Sequence, residues 1–262
     1  MSFQLTFRAV PEPDGPLQVA TVPWDSDLLG YPVYELRVDD AVPEALDAPL
    51  AAWVASLPAR FLAFSKVPLG AVAVHRALAG HGFYPVETMI ELHLPLARFA
   101  RLVANAPRGW RLRPAGPEDA PHLTALAAAS FKADRYHQDP QIDSAKADQR
   151  YASWVDDGLR RGERIYVYEN AEKGDVGGFY HVRATDEKTV DLSLAALSPV
   201  HQRIGLGLLL YQEVLLECQR AGYSVATTRI SVGNVDVLNL FARLGFVFHH
   251  PVLTFHLTPR AA

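Results

Sequence analysis

A single cysteine, Cys218, stands among 262 residues. No intramolecular disulfide can form, and a thiolate zinc site lacks its ligands. Long apolar runs are missing too. No window reaches 18 uninterrupted apolar residues, and the start, MSFQLTFRAV, has no basic segment followed by an apolar one. Both features argue against a membrane span or secretory leader, so the expected compartment is the cytoplasm. Neither charge sign dominates. The 25 basic and 29 acidic residues leave a net −4, which gives no broad field for nucleic acid. The Gly-x-Ser-x-Gly elbow, His-Glu-x-x-His and the Gly-x-x-x-x-Gly-Lys-[Ser/Thr] phosphate loop are all absent, removing the hydrolase, zincin and nucleotide-triphosphatase readings that rest on them. His249 and His250 are adjacent, so in a strand they point to opposite faces and do not chelate one ion. No metal site is expected. A hydrophobic share of 49% is enough for a sizeable core.

Proline becomes scarce along the chain: 15 of the 19 lie at or before Pro121. The turn-forming run Asn105-Ala106-Pro107-Arg108-Gly109 separates an apolar stretch from a fresh start at Trp110. The expected domains are therefore residues 1–106 and 107–262. The two parts resemble each other at an offset of 163. Phe61–Ser65 aligns with Ser224–Thr228, Ala71–His81 with Asn234–Leu244, Gly82-Phe83 with Gly245-Phe246, and Met89–Leu94 with Val252–Leu257. Four matches in one register suggest a shared strand, helix, strand unit. The alternative is that any α/β protein offers such pieces.

The second part reads as a strand at Trp110–Arg113, a helix from Pro117 to Ser130, a polar loop at 134–140 and a helix from Ser144 to Arg161. Strands follow at Ile165–Tyr168, Gly177–Val182 and Val190–Leu197. A helix at Leu206–Arg220 precedes a strand at Tyr223–Ile230, a helix at Asn234–Leu244 and a last strand at Val252–Leu257. This is an α/β (α+β, mixed-sheet) layout with an antiparallel front and parallel connections only late.

The chemistry concentrates at Leu192–Tyr211. An apolar strand ends at Ser198-Pro199, and a helix begins inside Gln202-Arg203-Ile204-Gly205-Leu206-Gly207. The first amides of a helix have no intrahelical acceptor and sit at the positive end of its dipole, which suits a phosphate. Glycines at 205 and 207 let a pyrophosphate approach the backbone, although a tight turn with close helix packing also accounts for them.

The Gln-x-x-Gly-x-Gly pattern after a strand resembles the acyl-CoA loop of the GNAT superfamily of acyltransferases. Arg111–Asp119 before it, and Asn234, Leu240-Phe241 and Gly245-Phe246 after it, agree in order over residues 108–258. A narrower resemblance, to the dTDP-fucosamine acetyltransferase branch, is carried by Trp24-Asp25-Ser26-Asp27, Gly30-Tyr31-Pro32, Arg135-Tyr136, Asp139-Pro140 and Thr227-Thr228. It implies a GNAT-type acyltransferase domain preceded by a smaller, truncated GNAT-like one.

The resemblance implies acetyl transfer from acetyl-CoA to a primary amine of a small molecule such as a nucleotide-linked amino sugar, by direct attack in a ternary complex. Ile204, Gly205, Leu206 and Gly207, with Gln202 and Arg203, would hold the pyrophosphate. Ala196 and Leu197 would splay from Thr227-Thr228 and pair with the pantetheine, the Leu197 amide acting as oxyanion donor. Asn234 would bond the pantetheine or, equally, cap its helix. Phe241 falls in the cofactor region where many members carry a tyrosine acid. It has no proton to give, and it also fits an apolar stripe with Val237, Leu238 and Leu244. His181 and Asp191 are the candidate general bases, each also an ordinary strand residue. Arg135, Tyr136 and Asp139 offer charge and an aromatic ring for the acceptor, or form a solvated loop. The expected partners are acyl-CoA and a small amine acceptor, with no nucleic acid or membrane; a homodimer is allowed. The rival is a non-catalytic acyl-CoA-binding or interaction protein. In the first part, an offset of 163 from the loop lands on Asp39–Glu44, which has no glycine, so no second acyl-CoA is expected there.

Overall fold

The computed structural model describes residues 5–11, 14–38, 45–103, 107–201 and 205–259. In chain order the elements are β1 (Arg8–Val10), β2 (Leu17–Thr21), α1 (Pro23–Leu29), β3 (Val33–Val38), α2 (Asp47–Ala55), β4 (Leu62–Pro68), α3 (Val72–Gly80) and β5 (Tyr84–Pro95). They continue as β6 (Trp110–Pro114), α4 (Ala120–Ser130), α5 (Arg135–Gln138), α6 (Ser144–Arg160), β7 (Arg164–Asn170), β8 (Asp175–Ala184) and β9 (Thr189–Leu197). The last are α7 (Leu206–Arg220), β10 (Val225–Ser231), α8 (Val235–Arg243) and β11 (Val247–Leu257).

A single cut at 106/107 does not describe the compactness of the chain. One unit comprises residues 1–89, 134–146 and 250–262; the other comprises 90–133 and 147–249. The polar segment around Asp134 and the end of the last strand thus belong with the first part of the chain, and residues 90–106 with the second.

In the first unit the strand order is β1-β2-β3-β4-β11. Only β3 and β4 are parallel; the other neighbours are antiparallel. Its core gathers Leu17, Leu36, Ala63 and Phe255 from the strands with Leu50 and Trp53 of α2 and Val74 and Leu78 of α3. In the second unit the order is β10-β9-β8-β7-β6. The β6 to β9 neighbours are antiparallel and β9/β10 is parallel, as the mixed-sheet reading expects.

Both faces of the sheet are covered in this unit. Tyr180, Val182 and Leu192 pack on Leu210 and Val214 of α7 and on Phe241 of α8. Phe179, Leu194 and Ala196 pack on Leu123 of α4 and Tyr151 and Val155 of α6. Strict alternation would place Leu192, Leu194 and Ala196 on one face. They lie on two because His181 pairs with Leu194 while the next residue, Val182, pairs with Leu192. Ser193 is the extra residue, a bulge that reverses which face the later side chains of β9 take.

The repeat at offset 163 holds at the level of elements. Strand β4 maps onto β10 and helix α3 onto α8, end for end. Gly82 and Gly245 both take φ 89°, and Phe83 and Phe246 after them both donate an amide hydrogen bond back to the helix, to Leu78 and Phe241, at 3.1 Å.

Candidate active site

Helix α7 starts where its sequence says it should. Leu206, Leu209, Leu210, Tyr211, Val214, Leu215 and Cys218 are buried along one side, the 3.6-residue spacing of an amphipathic helix. Gly205 precedes it at φ 78°, a left-handed conformation that glycine adopts without strain. Among the described residues a Cβ on Gly205 would meet nothing within 4 Å, whereas one on Gly207 would touch Leu197 Cδ1 at 3.0 Å. Gly207 therefore serves close packing, and Gly205 turns the chain and leaves open space over the first amides. Gln202, Arg203 and Ile204 lie outside the described residues.

The start of the helix is set by a feature the sequence reading passed over. At Gly177 a Cβ would strike Trp110 at 2.3 Å and Leu206 at 2.6 Å; at Gly178 it would strike the Ala196 carbonyl at 2.4 Å. The pair Gly177-Gly178 lets Trp110 and Leu206 close over β8 at the end of β9. The signal was visible as two adjacent glycines inside a strand.

Strands β9 and β10 pair only from Thr189/Val225 to Asp191/Thr227. Thr228 Oγ1 donates to the Leu192 carbonyl at 2.9 Å, a side-chain contact just past the last rung. β9 then runs on through Ala196 and Leu197 beyond the ladder, towards the start of α7. The β9/β10 ladder thus ends at Thr227, before Ala196 and Leu197. Leu197 lies six residues from Asp191, about 20 Å along an extended strand. The two do not attend one reacting carbonyl together.

The base candidates differ in environment. His181 is fully buried, with Nε2 2.8 Å from Glu163 Oε2. Burial lowers its pKa, opposed by the Glu163 charge, so the ring is neutral at pH 7. Asp191 keeps a partly exposed carboxylate that accepts from Ser193 Oγ at 2.6 Å and lies 3.6 Å from Arg183 Nη2.

Asn234 precedes α8 but makes no side-chain cap hydrogen bond, so the capping alternative is not the one realised. Phe241 is 1% exposed, edge-on to Tyr211 at 5.2 Å and to Phe246 at 4.7 Å. Its ring is packed core, which corrects its place among cofactor-contacting residues. Tyr211 and Tyr180 are buried with it, and burial raises both phenol pKa values. Phe241→Tyr is expected to lower stability by about 1–3 kcal/mol, since the new hydroxyl has no partner there. Urea unfolding of both proteins checks this, and unchanged stability would mean that polar space exists beside the ring. Cys218 is 2% exposed and burial pushes its thiol up to about 12, so it stays protonated and is no nucleophile.

The acceptor candidates are not a solvated loop. Arg135, Tyr136 and Asp139 are buried in and after the short helix α5. The Tyr136 hydroxyl donates to Asp25 Oδ2, and Arg135 Nη2 donates to the Tyr136 hydroxyl at 2.7 Å. The Arg135 guanidinium sits 3.6 Å from the centre of the Phe64 ring. Asp139 Oδ2 accepts from His256 Nδ1 at 2.7 Å and Tyr84 OH at 2.9 Å, and its Oδ1 accepts from the Gln141 amide at 2.9 Å. Two motifs more than a hundred residues apart in sequence, Asp25 and Arg135-Tyr136, thus meet in the first unit as a closed network rather than an open grip. His256 was not singled out in the sequence because strand alternation alone does not reveal a buried partner.

Among the described residues, no helix is long and apolar enough to cross a membrane, and no group of three or more metal-ligating side chains is assembled.

Residues 128–246 match the family described as Acetyltransferase (GNAT) family. The chain is 22% identical over 197 residues to the "Spore coat polysaccharide biosynthesis protein SpsD" of Bacillus subtilis (strain 168). That alignment covers 75% of this chain and 66% of the relative, just under two thirds of its length. Among solved structures, a GCN5-related N-acetyltransferase from Sphaerobacter thermophilus superposes with a TM-score of 0.71 at 15% identity, covering 97% of this chain and 80% of that one. A tandem GNAT protein from the clavulanic acid biosynthesis pathway, solved without AcCoA, gives 0.62 at 16% identity over 94% and 79%. At these identities the structural likeness is one of fold.

Proposed function

We propose that the protein, whose residues 128–246 match the GNAT acetyltransferase family, transfers an acetyl group from acetyl-CoA to a primary amine of a small molecule. The observation that carries this is the β9/β10 ladder ending at Asp191/Thr227 while β9 runs on to Leu197, toward the start of α7. An extended pantetheine fills such a gap as a third strand would, with its pyrophosphate at the helix N-terminus. Gly205, Leu206 and Gly207 are the described part of that phosphate seat; Gln202, Arg203 and Ile204 complete it in sequence. Ala196 and Leu197 flank the arm, and Asn234, its side chain unspent on capping, bonds it from the other side.

In the reaction the amine nitrogen attacks the thioester carbonyl, the carbon–sulfur bond breaks, and amide and CoA thiol leave. An amide on the edge of β9 turned away from β8, at the Leu192 end next to Asp191 and not at Leu197, supports the developing oxyanion. The acceptor ammonium must first lose a proton. Asp191, partly exposed, suits that role better than His181, which is sealed against Glu163. The acceptor is a nucleotide-linked amino sugar by resemblance to the dTDP-fucosamine branch. The name of the Bacillus subtilis relative, a polysaccharide biosynthesis protein, favours the same class. The rival, a protein that binds acyl-CoA without turnover, predicts no acetylated amine.

Acetyl-CoA at about 100 times its Kd is expected to stabilise the protein by about 2.7 kcal/mol, read as a rise in Tm. Gly205→Asn keeps the left-handed turn, which asparagine tolerates, and projects a side chain over the first amides. It should fold normally and lose the Tm rise; a folded variant that binds as the parent does refutes the phosphate seat. In the same preparation Asp191→Asn should keep the Tm rise and lower amine acetylation about 10²-fold or more. Undiminished turnover would exclude Asp191 as the base.

A further inference from the structure

A groove of about 430 Å³ opens between the edge strand β6, strand β7 and the second half of α7. It is separate from the proposed acyl-CoA seat. β6 is at the opposite end of the order β10-β9-β8-β7-β6, and Glu213, Glu217 and Arg220 lie about 10–20 Å along α7 from its first residue. Its volume is in the range of small-molecule sites.

The lining has one unspent polar atom. Tyr168 is fully buried and its hydroxyl has no hydrogen-bond partner among the described residues, whereas Glu213 Oε1 is held by Arg101 Nη1 at 2.8 Å as an ion pair. Burial, and then the Glu213 charge, push the Tyr168 phenol up to about 12, with Arg101 opposing. The hydroxyl therefore remains a donor, in a groove that Glu213 and Arg101 also line. A buried hydroxyl without a partner is costly, and a ligand that supplies an acceptor removes the cost.

The charges are mixed. Arg113 is spent on Asp119 and Glu169, but among the described residues Arg111 and Arg101 keep N–H donors beyond those on Glu169 and Glu213, and Glu217 uses one oxygen on Arg220. A pure anion would face the two helix carboxylates, and a pure cation the guanidinium groups. The apolar surface comes from Trp110, stacked on Tyr168 with centroids 5.4 Å apart, and from Leu112.

We propose that this groove binds a small zwitterion of the α-amino acid class. Its carboxylate meets the Tyr168 hydroxyl and the Arg101 guanidinium, its ammonium meets Glu213, and its apolar side chain rests against Trp110 and Leu112. Paired recognition of both charged ends makes the site selective for free amino acids over their blocked derivatives.

Calorimetric titration of the full chain with L-leucine, N-acetyl-L-leucine and L-leucinamide tests this. L-leucine should bind saturably, and each blocked compound at least about tenfold more weakly. Tyr168→Phe should weaken L-leucine binding about tenfold while the unliganded protein melts no lower than the parent, because the orphan hydroxyl is gone. Glu213→Gln should weaken it independently. The proposal fails if L-leucine shows no saturable binding up to about 10 mM, if the blocked compounds bind as well, or if Tyr168→Phe binds undiminished.

Discussion

Asp139→Ala is expected to lower the unfolding free energy by about 3–5 kcal/mol, because three donors lose their acceptor at about 1–3 kcal/mol for each that stays buried and unsatisfied. Asp139 is 1% exposed and accepts hydrogen bonds from the fully buried His256, from Tyr84 and from the Gln141 amide. Alanine leaves all three donors without their acceptor, in a site where His256 is fully buried. Tyr84 has Thr258 Oγ1 at 3.1 Å as a second partner, so the largest share of the loss falls on His256. Urea denaturation at pH 7 measures it. If Asp139 instead serves mainly to grip an acceptor, the variant will keep its stability within about 0.5 kcal/mol and show a raised KM for the amine.

Acidification from pH 7 to pH 4 should destabilise the protein by about 3 kcal/mol through His256 alone. Burial pushes its pKa down to about 4 from 6.5, outweighing the opposing bond to Asp139. The unfolded chain takes up a proton near pH 6.5 that the folded chain refuses until about pH 4. The stability present above pH 6.5 is therefore lost progressively across that window as pH falls. Asp139 acts lower. Its own burial raises its pKa, but the His256, Gln141 and Tyr84 hydrogen bonds prevail and hold it below 3.8, so its contribution disappears only in stronger acid. An NMR titration of the native imidazole, run beside urea unfolding at pH 7 and pH 4.5, tests both. A native His256 that titrates near 6.5 would overturn the prediction.

These two groups mark where reading the sequence stopped. Local periodicity and turn chemistry determined the second part of the chain closely. Helix α7 begins and ends at Leu206 and Arg220 as expected, since an apolar stripe and flanking glycines are properties of neighbouring residues. The Gln-x-x-Gly-x-Gly turn and the repeat at offset 163 were legible for the same reason: each is a short pattern whose meaning is carried by adjacent positions. Phe241 could be read as an open site or as core, because a 3.6-residue stripe does not say what packs over it; Tyr211 and Phe246 decided it.

What needed tertiary structure was every case in which the partner is distant in sequence. The segment from Asp134 reads as a polar loop because its residues are polar. Folding buries it, since Asp25, Phe64 and His256, more than a hundred residues away in sequence for Asp25 and His256 and about seventy for Phe64, supply the hydrogen bonds and the ring that make burial tolerable. The compact units depart from the cut at 106/107 for the same cause: residues 134–146 and 250–262 join the first unit through contacts that composition does not record. The bulge at Ser193, which reverses the faces of β9, was hidden because an extra residue in a strand leaves its own sequence unbroken and appears only in register against β8. Sequence fixes which residues can form a strand or helix and where a turn is easy; burial, charge state and register depend on what lies opposite, and only the folded chain supplies that.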